Sequence, residues 1–226
     1  MRKKPYVDRG PSTPATLIAA TAMECKALRR ALPGARVVQT GVALGRVNGS
    51  LGDVVVSCGF AGGLRSGLPT GTVLIPRTVR RPGGSTLQCD PVLVEAFADG
   101  ARRLGITPIF DALVTSETMV IRAARASWAA KGFAGVDMET GLISAPRVAA
   151  VRVVLDTPEN EIASDWLSPL RAIVKPWNWR QAVWLAREAP RAAALAASVV
   201  AAAQGLGNLL IRKATSPTGS SEPGCV

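Results

Sequence analysis

The segment VVVSCGFAGGLRSGLPTGTVLIP, Val54 to Pro76, governs the reading of this 226-residue chain. A β-branched run gives way to five glycines and one proline within thirteen residues, and a second β-branched run follows at once. Glycine admits positive φ and lets the backbone approach another group closely. A Gly-rich exit from a buried strand is therefore either a turn or a cradle for a ligand. Both readings stay open on this segment alone.

Outward from it, strand-like and helix-like patterns alternate. TLIAAT (16–21) reads as a strand, MECKALRRAL (23–32) as a helix with Ala27, Leu28, Ala31 and Leu32 on one face, and ARVVQT (35–40) as a strand. A helix is expected over Arg46 to Gly52, then strands at DVVVSCG (53–59) and GTVLIP (71–76), and an amphipathic helix at PVLVEAFADGARRLG (91–105). TPIFDALVTSE (107–117) reads as a strand and IRAARASWAAKG (121–132) as a helix. AGVDMET (134–140) reads as a strand running into a helix, and AAVRVVLDT (149–157) as the last strong strand. Near-continuous apolar strands separated by helices predict an α/β fold, with a mostly parallel mixed central sheet covered by helices on both faces. Ligands on such sheets lie at the carboxyl ends of strands. That rule selects Glu24, Gly41, Gly59 to Gly63, Glu117 to Val120, Asp137 to Glu139, and Asp156.

Composition narrows the chemistry. The 48% hydrophobic content supports a sizeable core. There is no histidine, which leaves carboxylates as the acid/base groups. Cys25, Cys58, Cys89 and Cys225 form no CxxC pair and have no histidine to complete a zinc site, so they read as reduced thiols of a cytoplasmic protein with no metal. The formal charge of +11 comes from arginines scattered through helical stretches rather than clustered with aromatics, which argues against a nucleic-acid partner. The basic N-terminus is interrupted by Asp8, Pro11 and Pro14 before a short apolar stretch, a poor match to an export signal. Residues 1–14 and 213–226 have the composition of disordered tails.

Four features in order, AMECKAL, CGFAGGLRSGLPTGTVLIP, GVDMETG and VRVVLD, resemble the superfamily of purine nucleoside phosphorylases and methylthioadenosine/S-adenosylhomocysteine nucleosidases. The resemblance covers roughly residues 16–160, within a catalytic domain set at 15–163. It implies an enzyme that cleaves the N-glycosidic bond of a purine nucleoside, with either phosphate or water as nucleophile and no cofactor beyond phosphate as co-substrate. By resemblance Asp156 is the general acid near purine N7, Glu139 binds the ribose 2′ and 3′ hydroxyls, and Met138 packs against the sugar. Glu24 matches the carboxylate that activates water in the hydrolytic members. Met119 takes the base-stacking position and Val120 the backbone contact to the purine. Gly59, Phe60, Ala61 and Gly62 form the cradle beside the nucleophile, and TGVALGRVNG (40–49) resembles a second glycine loop, with Gly41 in it and Arg46 placed for phosphate. Leu155 and Phe60 both stand where the family often has serine.

The extension set at 164–212 holds four of the five tryptophans. Such a tail resembles the hopanoid-associated phosphorylases, which release adenine from adenosylhopane, and it implies that substrate and a role in hopanoid biosynthesis. Trp177, Trp179 and Trp184 alternate with Lys175, Arg180 and Arg187, a pattern that suits a membrane interface, the core or a dimer contact. The Ala-rich run 192–203 is shorter than the roughly twenty residues needed to span a bilayer and reads as a packed helix. Family members are commonly dimers, so a homodimer is expected. Competing readings are a soluble methylthioadenosine/S-adenosylhomocysteine nucleosidase and a nucleoside-binding relative without turnover.

Overall fold

The computed structural model describes residues 14–162 and 179–203. Apart from Pro14 the expected tails lie outside those residues, as do Trp166, Lys175, Trp177 and Cys225. The chain opens with β1 (Thr16–Ala19), every residue of which is buried. Helix α1 (Ala22–Ala31) begins at a capping box in which Thr21 and Glu24 satisfy each other's backbone N–H groups. Strand β2 (Arg36–Gln39) then pairs parallel with β1. The helix expected at 46–52 does not form. A short 3-10 turn, Val42–Leu44, stands in this region instead, and Gly49 and Gly52 both take φ of +95°, a left-handed conformation that ends helical propagation.

Strand β3 (Val54–Gly63) answers the question raised by the glycines. The strand does not stop at Gly59: it runs on through Gly63, paired parallel with β9 (Arg147–Asp156) from Val54↔Arg147 onward. A register shift between Ala61 and Gly62 brings Gly62 opposite Asp156. The turn proper comes later, around Gly67 and Gly71. Strand β4 (Val73–Leu74) pairs antiparallel with β9. A hairpin unforeseen from the sequence, β5 (Thr78–Arg80) with β6 (Thr86–Gln88), precedes α2 (Pro91–Arg103). Strand β7 (Leu113–Thr115), α3 (Ala123–Ala130) and β8 (Gly135–Asp137) follow, and a short 3-10 turn, Thr140–Leu142, replaces the helix expected after β8.

The strands make one mixed sheet ordered β2-β1-β3-β8-β7-β5-β6, with β9 beside β3 and β4. The mostly parallel α/β architecture expected from the alternating pattern is what forms. Helix α4 (Trp179–Ala202) is the Ala-rich packed helix. Its Ala192, Ala196, Val199 and Val200 join the main core with Leu28 of α1 and Phe97, Ala98 and Ala101 of α2. Each fully buried valine contributes roughly 1.5–3 kcal/mol relative to exposure. The two helices come very close at Gly100, where a Cβ would sit 2.5 Å from the Val199 carbonyl oxygen. Among the described residues no helix is long and apolar enough to cross a membrane. Cys25, Cys58 and Cys89 are free and buried, and burial pushes the Cys58 and Cys89 thiols up to about 12.

Candidate active site

The carboxyl ends of β1, β3, β8 and β9 enclose a cavity of about 230 Å³. Glu24, Phe60, Ala61, Gly62, Met119, Val120, Met138, Glu139 and Asp156 all line it. Five positions singled out in the sequence do not, Gly63 and Glu117 among them. Gly59 stands behind Glu24. Gly41 lies under the side chain of Arg46, whose Cγ would be 3.0 Å from a Cβ there, and Arg46 itself is exposed outside the cavity wall. Val42, next to Gly41, reaches the cavity instead.

Each carboxylate is held by a different device. Glu24 is the third residue of α1, so the capping box that starts the helix also aims its side chain. One oxygen accepts from the Thr21 backbone N–H at 2.8 Å and from the Thr21 hydroxyl at 2.7 Å, and the other accepts from the Phe60 N–H at 3.0 Å. Gly59 makes this possible: a Cβ there would lie 2.0 Å from Glu24 Oε1. The glycine is required for close approach of a side chain from α1, not for a turn.

Glu139 follows β8 and meets Arg152, a residue that sequence reasoning passed over. Arg152 sits in the interior of β9 and is 2% exposed. Its Nη2 lies 2.6 Å from Asp137 Oδ2 and 3.3 Å from Glu139 Oε2, and it donates to the Ser57 hydroxyl at 2.6 Å and the Thr140 hydroxyl at 2.9 Å. Asp137 is further fixed by the Thr115 hydroxyl at 2.6 Å, by the Thr140 backbone N–H at 3.1 Å and by the Thr140 hydroxyl. Asp137 thus takes the larger share of the guanidinium. Glu139 is pushed up to about 7: burial raises it most, Asp137 and Glu24 raise it too, and Arg152 and a backbone hydrogen bond from Ala43 oppose them. Ala43 and Leu44 hold non-glycine left-handed φ values of 52° and 56°. Such backbone strain is uncommon away from functional sites.

Asp156 ends β9 and is ion-paired with Arg125 of α3, which is 2% exposed. Burial raises its pKa and Arg125 lowers it, with the net direction upward. The Met119–Val120 segment forms part of the cavity wall, and among the described residues neither the N–H nor the carbonyl of Val120 has a backbone or side-chain partner. A buried peptide group left open in this way is a donor–acceptor pair available to a ligand edge. The one sequence signal for Arg152 was a cation inside the apolar run VRVVLD, since an arginine at a buried strand position must have anionic partners. Arg125 carried no comparable signal in a helix rich in arginine and alanine. Among the described residues no group of histidine, cysteine or carboxylate side chains is placed to hold a metal.

No protein-family model matches the chain, and no curated protein matches it in sequence. Solved structures do match. A 5′-methylthioadenosine/S-adenosylhomocysteine nucleosidase from Colwellia psychrerythraea in complex with adenine superposes with a TM-score of 0.62 at 19% identity, covering 88% of this chain and 96% of that one. The fold is that of the nucleosidases. The S-adenosylhomocysteine nucleosidase of Streptococcus pyogenes, bound to 5-methylthiotubericidin, matches at 0.64 and 16% identity over 89% of this chain and 99% of its own. A futalosine hydrolase mutant of Helicobacter pylori matches at 0.60 and 10% identity over 84% and 98%. Within this nucleosidase fold the cavity described above occupies the strand ends where α/β sheets take ligands.

Proposed function

We propose that the chain is an enzyme that cleaves the N-glycosidic bond of an adenosyl nucleoside and releases adenine. The observation that carries this reading is the convergence of Asp156, Glu139 and Glu24 on one cavity whose remaining wall includes Met119 and Val120, a residue whose peptide group has no hydrogen-bond partner among the described residues. In this reading the base lies against Met119 with its polar edge on Val120, and Asp156 gives a proton to purine N7. The C1′–N9 bond breaks, its electron pair leaves with the base, and the sugar acquires oxocarbenium character. Glu139 accepts hydrogen bonds from the ribose hydroxyls. Water forms the new bond to C1′ and passes a proton to Glu24.

Water is favoured over phosphate by electrostatics. Four carboxylates and two arginines line the cavity, and both arginines, Arg125 and Arg152, are already engaged by carboxylates. A phosphate dianion entering there would meet a net negative field in a partly desolvated site.

For the substituent at the ribose 5′ carbon we favour a polycyclic hydrocarbon, as in adenosylhopane, over a small thioether. Gln181 in the first turn of α4 donates to the Glu161 carbonyl at 2.7 Å, which holds the start of that helix beside Ile162 of the cavity wall. Trp179 and Val183, one turn apart in the first part of α4, are 61% and 63% exposed, an apolar surface suited to a greasy substituent or to peripheral contact with a bilayer. The expected homodimer finds support in Met23 and Val42, exposed apolar residues beside Glu24 and at the cavity wall. The test is adenine release by the purified protein from adenosylhopane in detergent and from methylthioadenosine, each with and without phosphate. Phosphate-independent release from the lipid nucleoside is expected. Preference for methylthioadenosine refutes the lipid substrate, phosphate dependence refutes water, and no adenine from either identifies a binding protein without turnover.

A further inference from the structure

Asp156 is not a free carboxyl at the end of its strand. Arg125 Nη2 contacts its Oδ2, and the Ile162 backbone N–H approaches the same oxygen at 3.5 Å. Both contacts from other residues fall on Oδ2, and neither reaches Oδ1. Leu155, its chain neighbour, offers no polar side chain. Arg125 is itself immobilised from two further directions. Its Nη1 donates to the Gly63 carbonyl at 2.6 Å, and its Nε lies 3.1 Å from Glu161 Oε1, an oxygen that also accepts the Arg122 backbone N–H at 2.6 Å. Gly62 leaves the space that this needs: a Cβ there would stand 3.1 Å from Asp156 Oδ1 and 3.5 Å from Arg125 Nη1. Gly62, Arg125 and Asp156 all line the cavity.

We infer that Arg125 is the positioning residue for the acid: it clamps Oδ2 of Asp156 against the end of β3, so that Oδ1 carries the proton and faces the departing base. This rests on the adenine-release reading above. A planar guanidinium suits the role because it binds one carboxylate oxygen in a fixed direction while its other nitrogens are anchored elsewhere. The charged groups facing Asp156 are Arg125 from α3 and, beyond it, Glu161 from the segment after β9. The arginine also makes the acid a readier donor, since it opposes the effect of burial on the carboxyl. The proton leaves Oδ1 for the base, and the resulting carboxylate is at once neutralised by the pair.

The experiment compares wild type, Asp156→Asn, Arg125→Met and Arg125→Lys, using whichever of adenosylhopane and methylthioadenosine wild type cleaves faster, with kcat and KM followed across pH. Asp156→Asn should abolish turnover. Arg125→Met should lower kcat about 10- to 100-fold with KM within about threefold, as expected for a misaligned proton donor. The alkaline limb of its kcat profile should move to higher pH, because the group that opposed burial is gone. Arg125→Lys should recover most of the lost rate. If Arg125→Met does not fold, as judged by thermal melting, Arg125→Gln is read by the same quantities. Wild-type kcat and an unmoved limb in the folded variant overturn the inference, as does a rise in KM alone. Absence of turnover in wild type, or full activity in Asp156→Asn, overturns the functional reading itself and this inference with it.

Discussion

Glu139→Gln separates the two demands placed on this carboxylate. In the proposed reaction the group is ionised when it accepts both ribose hydroxyls, yet burial and the neighbouring Asp137 and Glu24 hold it up to about 7, with Arg152 only partly offsetting them. Raising a carboxyl from 4.5 to about 7 corresponds to about 3 kcal/mol at about 1.4 kcal/mol per pKa unit. The sign follows from proton binding. Between those two values the folded protein holds a proton that the unfolded chain has released, so stability is present in full below 4.5 and is lost as pH rises towards 7. Glutamine has no charge to bury. Glu139→Gln should therefore melt close to wild type at pH 5 and be more stable at pH 8.5 by up to about 3 kcal/mol, or about 6–12 °C in Tm for a chain of this size. Activity should run the other way. Wild-type kcat/KM should climb towards a plateau as Glu139 ionises near neutrality. The variant should lose that limb and fall about 100-fold on the plateau, the scale of one or two charge-assisted hydrogen bonds. Differential scanning calorimetry and pH–rate profiles measure both. A variant that keeps the same limb, or that is no more stable at pH 8.5 than at pH 5 relative to wild type, would refute the assignment of the titration to Glu139.

Three further substitutions test other parts of the construction. Gly59→Ala places a methyl 2.0 Å from Glu24 Oε1 and should cut adenine release by at least about 100-fold through displacement of that carboxylate; steady-state rates with a melting control check it. Arg152→Met leaves Asp137 and Glu139 buried without their shared cation and should destabilise by about 3–5 kcal/mol, measured by urea denaturation at pH 7.5, with partial recovery on acidification as Glu139 protonates. Gly100→Ala forces α2 and α4 apart at the Val199 carbonyl and should cost about 1–3 kcal/mol by chemical denaturation, with little change in KM because neither Gly100 nor Val199 lines the cavity.

Much of the architecture was legible along the chain because parallel strands buried on both faces are written as apolar runs, and β1, β3 and β9 each fall within such a run. Local signals also placed Glu24, Glu139 and Asp156 at strand ends or helix starts, and all three reach the cavity. Short elements were less visible. The β5–β6 hairpin has three residues in each strand, too few to show a period, and the expected helix at 46–52 gave way to glycines in left-handed conformations. The glycines after Val54 had a meaning that no local rule could supply. Gly59 is small because a carboxylate from α1 presses against it, and Gly62 because a register shift sets it opposite Asp156.

Read along the chain alone, the residues set out the alternation of most elements, the sheet edge that carries the cavity and the carboxylates that line it. Those are properties of periodicity and of residues near strand ends, and they are encoded within a few neighbours along the chain. Only the tertiary structure decided which cation meets which carboxylate. Arg125 lies 31 residues from Asp156, and Arg152 lies 13 from Glu139. Whether such a residue faces solvent or is buried as a partner is settled by packing between elements, because an arginine inside the protein is stable only where folded neighbours supply its counter-charge.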